Sequence, residues 1–218
     1  GPKLKWIKSE LENKLNLILF LIISLLLSIF IIRNLDINFL INTILVTSAF
    51  YLFLITLKDF FSKKFKNLSQ NFAHFSFSLL ILSILFNNFL STEIITNLKI
   101  NETYENDVLK INFEGIEQRD EQNFKAIIGK FVIEHSGGQT DIMQPELRIY
   151  NQPNIITSEA DIKTTLYKDK FMTMNSVQNQ DYFNIRYQVK PLMIWIWLST
   201  FLISLSGLIG FFKKRYEN

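Results

Sequence analysis

Hydrophobic residues along the 218-residue chain fall into two patterns that follow one another. Four runs contain no Asp, Glu, Lys or Arg: Leu15–Ile32 and the stretches 37–57, 67–92 and 191–212. A hydrocarbon core of about 30 Å needs about 20 apolar residues in a helix, so each run is long enough to span a bilayer. We therefore predict transmembrane helices at about 15–33, 37–57 and 69–91, and a fourth within 191–218.

The segment 93–190 has the alternating pattern of β-strands instead. Leu109, Ile111 and Phe113 alternate with more polar neighbours, and similar alternation recurs around residues 130–134 and 182–189. The sequence 136–139, Ser-Gly-Gly-Gln, predicts a hairpin turn because glycine supplies positive φ angles. The fold class is thus an integral membrane α-helical protein with four transmembrane helices. A small antiparallel β domain, one sheet or an open barrel, is inserted between a membrane region at 1–92 and the last helix at 191–218.

Charge separates the same two regions and predicts their orientation. The segment 93–190 has 15 acidic and 11 basic side chains, a net charge of −4, whereas the remainder carries +7. Eleven of its Lys and Arg residues flank one side of the predicted spans and one, Arg33, flanks the other. Basic loops stay on the cytoplasmic side, so both termini are expected in the cytoplasm or matrix. The β domain is then periplasmic or in the intermembrane space.

Composition limits the chemistry of this chain. It has no Cys, which excludes disulfides, thiolate metal sites and thiol redox chemistry, and two His are too few for a metal cage. His135 follows a strand next to the hairpin turn, and we expect a solvated surface residue there. Glu146 and Arg148 form either a surface ion pair or a contact for an anionic group or partner protein. No nucleophile with a matching base and acid is evident.

His74 is the strongest candidate site because it lies inside the third uncharged run. Ionisable residues within a membrane span are costly and usually face the bundle interior. Gln70, Asn71 and Ser78 share its helical stripe, which favours an inward face. Three roles remain open from the residues alone: a haem axial ligand, a proton-relay residue, or a histidine satisfied by an interhelical hydrogen bond.

Several segments resemble, in order, the C-terminal third of the cytochrome c maturation protein F (CcmF) family, haem-lyase subunits of c-type cytochrome biogenesis. They are Asn-Phe-Ala-His with the apolar residues after it (71–82), Pro-Glu-Leu-Arg-Ile-Tyr (145–150), Thr-Ser-Glu-Ala-Asp-Ile (157–162), the stretch from Arg186 through Trp195 and Trp197 (186–198), and the close at 204–209 with 213–215. Gly-Pro-Lys-Leu-Lys-Trp (1–6) is also similar, although Gly-Pro could equally be a cleavage scar. The chain departs from the family at Leu147, where Lys is usual, at Asp169-Lys170-Phe171, where Asp-Leu-Tyr is common, and at Ser199 and Ser206, where Gly is common.

The resemblance implies a function for the chain as a split-gene subunit or fragment of a bacterial or mitochondrial inner-membrane haem lyase. His74 would be one axial ligand of a resident b-type haem, with the second ligand from the absent N-terminal part. That haem would keep the transferred haem reduced while the apocytochrome thiols add across its vinyl groups. Implied partners are the N-terminal CcmF part, the haem chaperone, the apocytochrome thiol-handling subunit and apocytochrome c, besides membrane lipid, and no nucleic acid.

Further roles are expected of a few polar and aromatic residues. Trp195 and Trp197 either belong to the interfacial aromatic belt or line a haem groove, and Glu146, Arg148 and Arg186 could contact a partner. We expect no catalysis by the chain alone. The alternatives are a cofactor-free, membrane-anchored β domain with an assembly role, or the paralogous haem lyase for nitrite reductase.

Overall fold

The structure is a computed structural model that describes residues 14–33, 35, 38–61, 68–177 and 181–217. It divides into two compact units. One, the membrane unit, comprises Gly1–Phe89 and Trp195–Asn218, and the other, the β domain, comprises Leu90–Ile194. Several of the basic residues that predict the orientation lie outside the described residues: the Lys residues before residue 14, Lys63, Lys64 and Lys66. The same is true of Trp6, in the segment 1–6, and of the side chains of Lys213, Lys214 and Arg215.

The membrane unit contains four helices: α1 (Lys14–Ile32), α2 (Phe39–Phe61), α3 (Leu68–Leu90) and α4 (Met193–Glu217). All four are long and apolar enough to cross a membrane. The predicted number and type of these elements are confirmed. Helix α2 extends to Phe61, beyond the last residue of the uncharged run, because Lys58 and Asp59 are tolerated in its last turn.

Small hydroxyl residues make up most of the buried positions of these helices. Ser24 and Ser28 in α1 are fully buried, and each donates its hydroxyl hydrogen to the carbonyl oxygen four residues earlier. Such bonds satisfy the hydroxyl within its own helix. The small side chains then allow close approach of neighbouring helices, which is the usual basis of helix packing in membranes.

The β domain consists of ten strands, and its predicted antiparallel character is confirmed. They are β1 (Thr92–Leu98), β2 (Thr103–Glu105), β3 (Leu109–Asp120), β4 (Phe124–His135), β5 (Thr140–Met143), β6 (Glu146–Tyr150), β7 (Ile155–Glu159), β8 (Asp161–Thr164), β9 (Lys168–Ser176) and β10 (Phe183–Pro191).

These strands form two sheets, where the sequence predicts one sheet or an open barrel. The four-stranded sheet has the order β1-β10-β9-β8, and the six-stranded sheet has the order β2-β3-β4-β6-β7 with β5 paired to β4. The hairpin turn between β4 and β5 forms as predicted, with Gly138 at a φ of 77° and its N–H donating to the His135 carbonyl at 2.8 Å. Alternation along strands reveals their faces, but it does not show how strands distribute between sheets.

The core of the β domain is formed by large apolar side chains from both sheets. Phe113 and Phe131 are completely buried and stack with their ring centroids 4.3 Å apart. Gly129 lies at a close approach, since a Cβ there would be 2.5 Å from the Phe131 ring and 2.8 Å from the Met174 sulfur. A side chain at residue 129 would therefore require the Phe131 ring and the Met174 thioether to shift.

Candidate functional site

Helix α3 is held on two sides by polar contacts within the membrane unit. The Thr56 hydroxyl of α2 and the Ser78 hydroxyl of α3 are 2.6 Å apart, and the Asn71 amide donates to the Asp59 carbonyl at 3.2 Å. On the other side, the Ser69 hydroxyl donates to the Ser206 carbonyl of α4 at 2.7 Å. The rotation of α3 about its axis is therefore fixed by its neighbours.

His74 lies on a face of α3 that is exposed and that no other described part of the chain covers. Gln70, His74, Phe77, Ile84 and Asn88 are all exposed and follow the helical repeat at intervals of three, four and seven residues. Ser78 by contrast is buried against α2. The predicted common stripe of His74 and Ser78 is therefore divided among the described helices, with Ser78 against α2 and His74 exposed. Residues four apart on a helix differ by about 40° around its axis. This angle is enough for Ser78 to lie at the α2 interface while His74 lies outside it.

The imidazole of His74 has a hydrogen-bond partner on its own helix. Its Nε2 lies 3.3 Å from the Nε2 of Gln70, one turn earlier, so the Gln70 amide donates to the ring nitrogen. This contact is exposed and is made within α3. It differs from the interhelical hydrogen bond that the sequence leaves open as one role for this residue.

The requirements of a haem axial ligand can be tested against this geometry. The ligand needs one imidazole nitrogen aimed into a space wide enough for a porphyrin, inside an apolar layer. The stripe supplies the apolar surroundings, since the exposed Phe77 and Ile84 continue it beside His74, while Nε2 of the imidazole faces Gln70. The sequence contains one other histidine, His135 in the β domain. A second histidine ligand at this depth would therefore come from outside this chain.

Trp195 and Trp197 lie in the first turn of α4. Residues two apart on a helix differ by about 200°, so the two indoles point to opposite sides of α4. Trp197 is largely exposed and Trp195 half-buried. At most one of them can line a given groove. Helix α4 also contacts α3 through Ser69, which is about 140° around α3 from His74, so the structure does not gather these side chains into one site.

Glu146, Arg148 and Arg186 are paired within the β domain rather than grouped together. The Arg148 guanidinium donates to Glu146 at 2.9 Å and lies over the Phe124 ring, whereas Arg186, on β10 of the other sheet, is paired with Glu93. The hydrogen bond from Arg186, with a second from Gln188, lowers the pKa of Glu93. Both pairs are partly exposed, and such pairs contribute little stability.

A buried charge cluster in the β domain joins the two sheets and was not predicted from the sequence. His135 Nε2 lies 2.9 Å from an Asp141 oxygen, and the Lys170 ammonium donates to the same oxygen and lies 3.3 Å from His135 Nε2. His135 and Asp141 flank the β4–β5 hairpin in the six-stranded sheet, and Lys170 lies on β9 of the four-stranded sheet. We call these three residues the inter-sheet ion cluster.

The cluster corrects the expectation that His135 is a solvated surface residue. Its side chain is 17% exposed, that of Asp141 is 11% exposed and that of Lys170 is 3% exposed. The signal was present in the sequence, because Phe131, Ile133 and His135 share one strand face and the first two are core residues. The charged partner on β9 could not be identified from that pattern.

Burial and hydrogen bonding act in opposite directions on the carboxylate of the cluster. Desolvation raises the pKa of Asp141, but the hydrogen bonds from Lys170 and His135 outweigh it, so the pKa lies below its usual value. Burial raises the pKa of Tyr187 nearby, and the Asp141 charge raises it further. Among the described residues the buried Tyr187 hydroxyl has no hydrogen-bond partner. Within the same part of the chain, no three His, Asp or Glu residues are grouped closely enough to hold a metal ion.

Comparison with known proteins identifies the β domain. Residues 89–191 match the family model described as the CcmF C-terminal beta-sandwich. The β domain thus corresponds to the CcmF C-terminal beta-sandwich region, and the chain shows distant homology to CcmF proteins. The chain is 26% identical over 105 residues to the cytochrome c-type biogenesis protein CcmF of Pseudomonas fluorescens, covering 48% of this chain and 16% of that protein. It is 26% identical over 120 residues to ccl1 of Rhodobacter capsulatus, covering 55% and 18%.

Two further comparisons extend the similarity beyond the β-sandwich. The cytochrome c-type biogenesis protein NrfE of Haemophilus influenzae is 20% identical over 173 residues, covering 79% of this chain and 27% of that protein. A solved structure, "Cytochrome c Heme Lyase CcmF", superposes with a TM-score of 0.70 at 18% identity over 95% of this chain and 36% of its own. The similarity in fold to this solved structure therefore includes the helices of the chain as well as its β domain. The chain spans only about a sixth to a quarter of the curated relatives' length.

Proposed function

We propose that this chain is the C-terminal subunit or segment of a CcmF-type membrane haem lyase, in which His74 is one axial ligand of a b-type haem shared with an N-terminal part. The observation that carries the proposal is the position of His74: inside an apolar span, on the uncovered face of a helix fixed by α2 and α4. An N-terminal part would cover this face and contribute the second ligand. A haem bound there would supply a one-electron carrier within the membrane.

The chain's own residues hold this ligand in place. Contacts at Ser69 and Ser78 fix the rotation of α3, so the imidazole is presented without reorganisation of the helix. Ligation through Nε2 requires the Gln70 amide to give up its 3.3 Å contact, which is exposed and costs little to break. Gln70 is therefore a neighbour of the proposed site rather than a part of it.

The β domain in this proposal contacts the other components of the pathway. These are the haem chaperone, the apocytochrome thiol-handling subunit and apocytochrome c, with Glu146, Arg148 and Arg186 as candidate contacts. The chain has no Cys, so any thiol of the reaction belongs to those partners, and catalysis is a property of the assembled complex. Similarity extends to both CcmF and NrfE, each of which is named a cytochrome c-type biogenesis protein, and the paralogous haem lyase for nitrite reductase stays the alternative. The proposed location is an inner membrane, with both termini in the cytoplasm or matrix.

The test is co-expression of this chain with the N-terminal part of CcmF, followed by purification through a tag on this chain. The reduced complex should show the absorption band of a b-type haem. His74→Gly should lose that band, and added imidazole should restore it by occupying the vacated position. Gln70→Leu is the matched control, because it removes the neighbouring polar group on the same face and should leave the band in place.

The outcomes separate ligation from a structural role. A b-type spectrum unchanged in His74→Gly would overturn the assignment of His74 as a ligand. Loss of the band together with loss of co-purification of the N-terminal part, without rescue by imidazole, would assign His74 to the interface between the parts instead. A complex that stays colourless with every variant would favour the cofactor-free assembly role.

A further inference from the structure

The turn between β8 and β9 lies at the end of the four-stranded sheet where the chain enters its last span. In the register of this sheet, Lys168 at the start of β9 pairs with Pro191 at the end of β10, and Thr164 pairs with Asp169. Residues 165–167 therefore project beyond Pro191, towards the level of Leu192. The next residue, Met193, is the first of a 20-residue segment suited to crossing a membrane.

A hydrogen bond holds this turn to the point where α4 begins. The Leu192 N–H donates to the Tyr167 carbonyl at 2.9 Å, and the Thr165 hydroxyl donates to the Lys168 carbonyl at 2.7 Å across the turn. Leu192 has a φ of 59°, a left-handed conformation that is strained for a residue with a Cβ atom. A segment that ends in such a conformation redirects the chain sharply, and the bond to Tyr167 stabilises that change of direction.

The side chains of this turn have the chemistry of a membrane interface. Leu166 is 61% exposed and Tyr167 is 76% exposed, an apolar and an aromatic residue side by side at a turn, where polar residues are usual. Tyrosine prefers the headgroup layer, where its ring is in the apolar region and its hydroxyl remains hydrated. Lys163 and Lys168 lie within two residues of this end along their strands and add positive charge there, whereas the Lys190 ammonium lies over the Phe171 ring, 5.5 Å from its centroid.

The dimensions of a bilayer agree with this placement. Headgroup layers add about 5–7 Å to each side of the hydrocarbon core. A strand advances about 3.3 Å per residue, so a turn one or two residues beyond Pro191 lies within one headgroup thickness of the first residue of the span. Leu166 and Tyr167 are therefore close enough to the start of the span to reach the headgroup layer.

We propose that the β8–β9 turn is an interfacial anchor: Leu166 and Tyr167 insert into the headgroup layer of the membrane that α4 crosses. The turn gives the β domain a contact with lipid in addition to its two chain connections. This inference rests on strand register and exposure and does not depend on haem binding.

The experiment uses the full chain in lipid nanodiscs and exploits its lack of cysteine. Leu166→Cys carries a single environment-sensitive fluorophore, and its quenching by brominated lipids is compared with its quenching by aqueous iodide. Ile156→Cys is the matched control, because Ile156 is 59% exposed and lies on β7. Residue 156 lies away from the β8–β9 turn. Ser158, two residues later on the same strand, donates its hydroxyl hydrogen to the carbonyl of Met174, six residues along β9 from Lys168.

The label at residue 166 should show blue-shifted emission, strong quenching by brominated lipid and weak quenching by iodide, and the label at 156 should show the reverse. Tyr167→Cys should repeat the result for 166, and circular dichroism checks that each variant folds. Equal lipid quenching at 156 and 166, or iodide quenching at 166 as strong as at 156, would overturn the proposal. Because neither an N-terminal part nor haem is present, this outcome is independent of the fate of His74.

Discussion

The membrane unit and the β domain place opposite kinds of side chain in their interiors. In the membrane unit the buried polar residues are small hydroxyl side chains, and large apolar ones such as Leu26 and Phe30 are exposed. In the β domain Phe113, Phe131 and Ile133 are completely buried, and the exposed positions are mostly polar. The buried hydroxyl residues of the membrane unit are Ser24, Ser28, Thr43, Thr56, Ser76, Ser78, Ser83, Ser199 and Ser206.

This difference reflects the solvent in which each region folds. Water drives the apolar side chains of the β domain together, whereas lipid tails solvate leucine as well as another helix does. Helices in lipid associate instead through close packing of small residues and through hydrogen bonds. Large apolar side chains therefore stabilise the β domain when they are buried and suit the membrane unit when they face lipid. The same substitution made in each unit should thus have different effects on stability.

The largest expected effect is the loss of a core aromatic ring. Phe131→Ala should reduce the free energy of unfolding of the β domain by about 3–5 kcal/mol, since it removes a buried ring and leaves a cavity. Phe201→Ala in α4, where the ring is exposed, should change stability by less than about 0.5 kcal/mol. Chemical denaturation in nanodiscs measures both. Comparable losses from the two variants would contradict the contrast.

The inter-sheet ion cluster should give the next largest effect. Lys170→Leu, which introduces the residue common in the family, should destabilise the β domain by about 3 kcal/mol because Asp141 loses a buried partner. The double variant with Asp141→Leu should recover most of this loss, because no buried charge remains unpaired. Denaturation of the two single variants and the double variant gives the coupling. Additive losses would show that the residues act independently.

Acid should destabilise the β domain through the same carboxylate. The pKa of Asp141 is lower in the folded state than its ordinary value of 3.8, so the unfolded chain takes up the proton first. The stabilisation is complete above the unfolded pKa and is lost as pH falls from about 5 through the folded pKa. Unfolding measured from pH 6 to 3 should thus be steeper for the wild type than for Asp141→Asn. Identical slopes would place the acid sensitivity in other carboxylates.

The smallest effect is expected for the hydrogen bond between α2 and α3. Removing the contact between Thr56 and Ser78 should cost about 0.6 kcal/mol, the average for such bonds in membrane proteins. A double-mutant cycle of Thr56→Val and Ser78→Ala in nanodiscs measures this coupling. A coupling above about 2 kcal/mol would mean that hydrogen bonds, rather than close packing, hold these helices together.

The structure shows where the residues that depart from the family pattern lie. Ser199 and Ser206, where the family resemblance implies glycine, are buried in α4. Leu147, where lysine is usual, is buried in β6, and Lys170, where leucine is common, is buried beside Asp141. The Lys170 departure is visible in the sequence, but the carboxylate that pairs with it, Asp141, lies in the other sheet.

Local pattern alone determined the four apolar helices, the antiparallel β domain between the last two and the β4–β5 hairpin. These features depend on residues within about 20 positions of one another, and the lengths and periods of helices and strands limit the possible arrangements. The tertiary structure decided what depends on distant neighbours: the division into two sheets, the contact of His135 with Lys170, and the uncovered face of α3 at His74. A periodic pattern shows that a helix or strand has two faces, but which element covers each face is decided by packing across the whole chain.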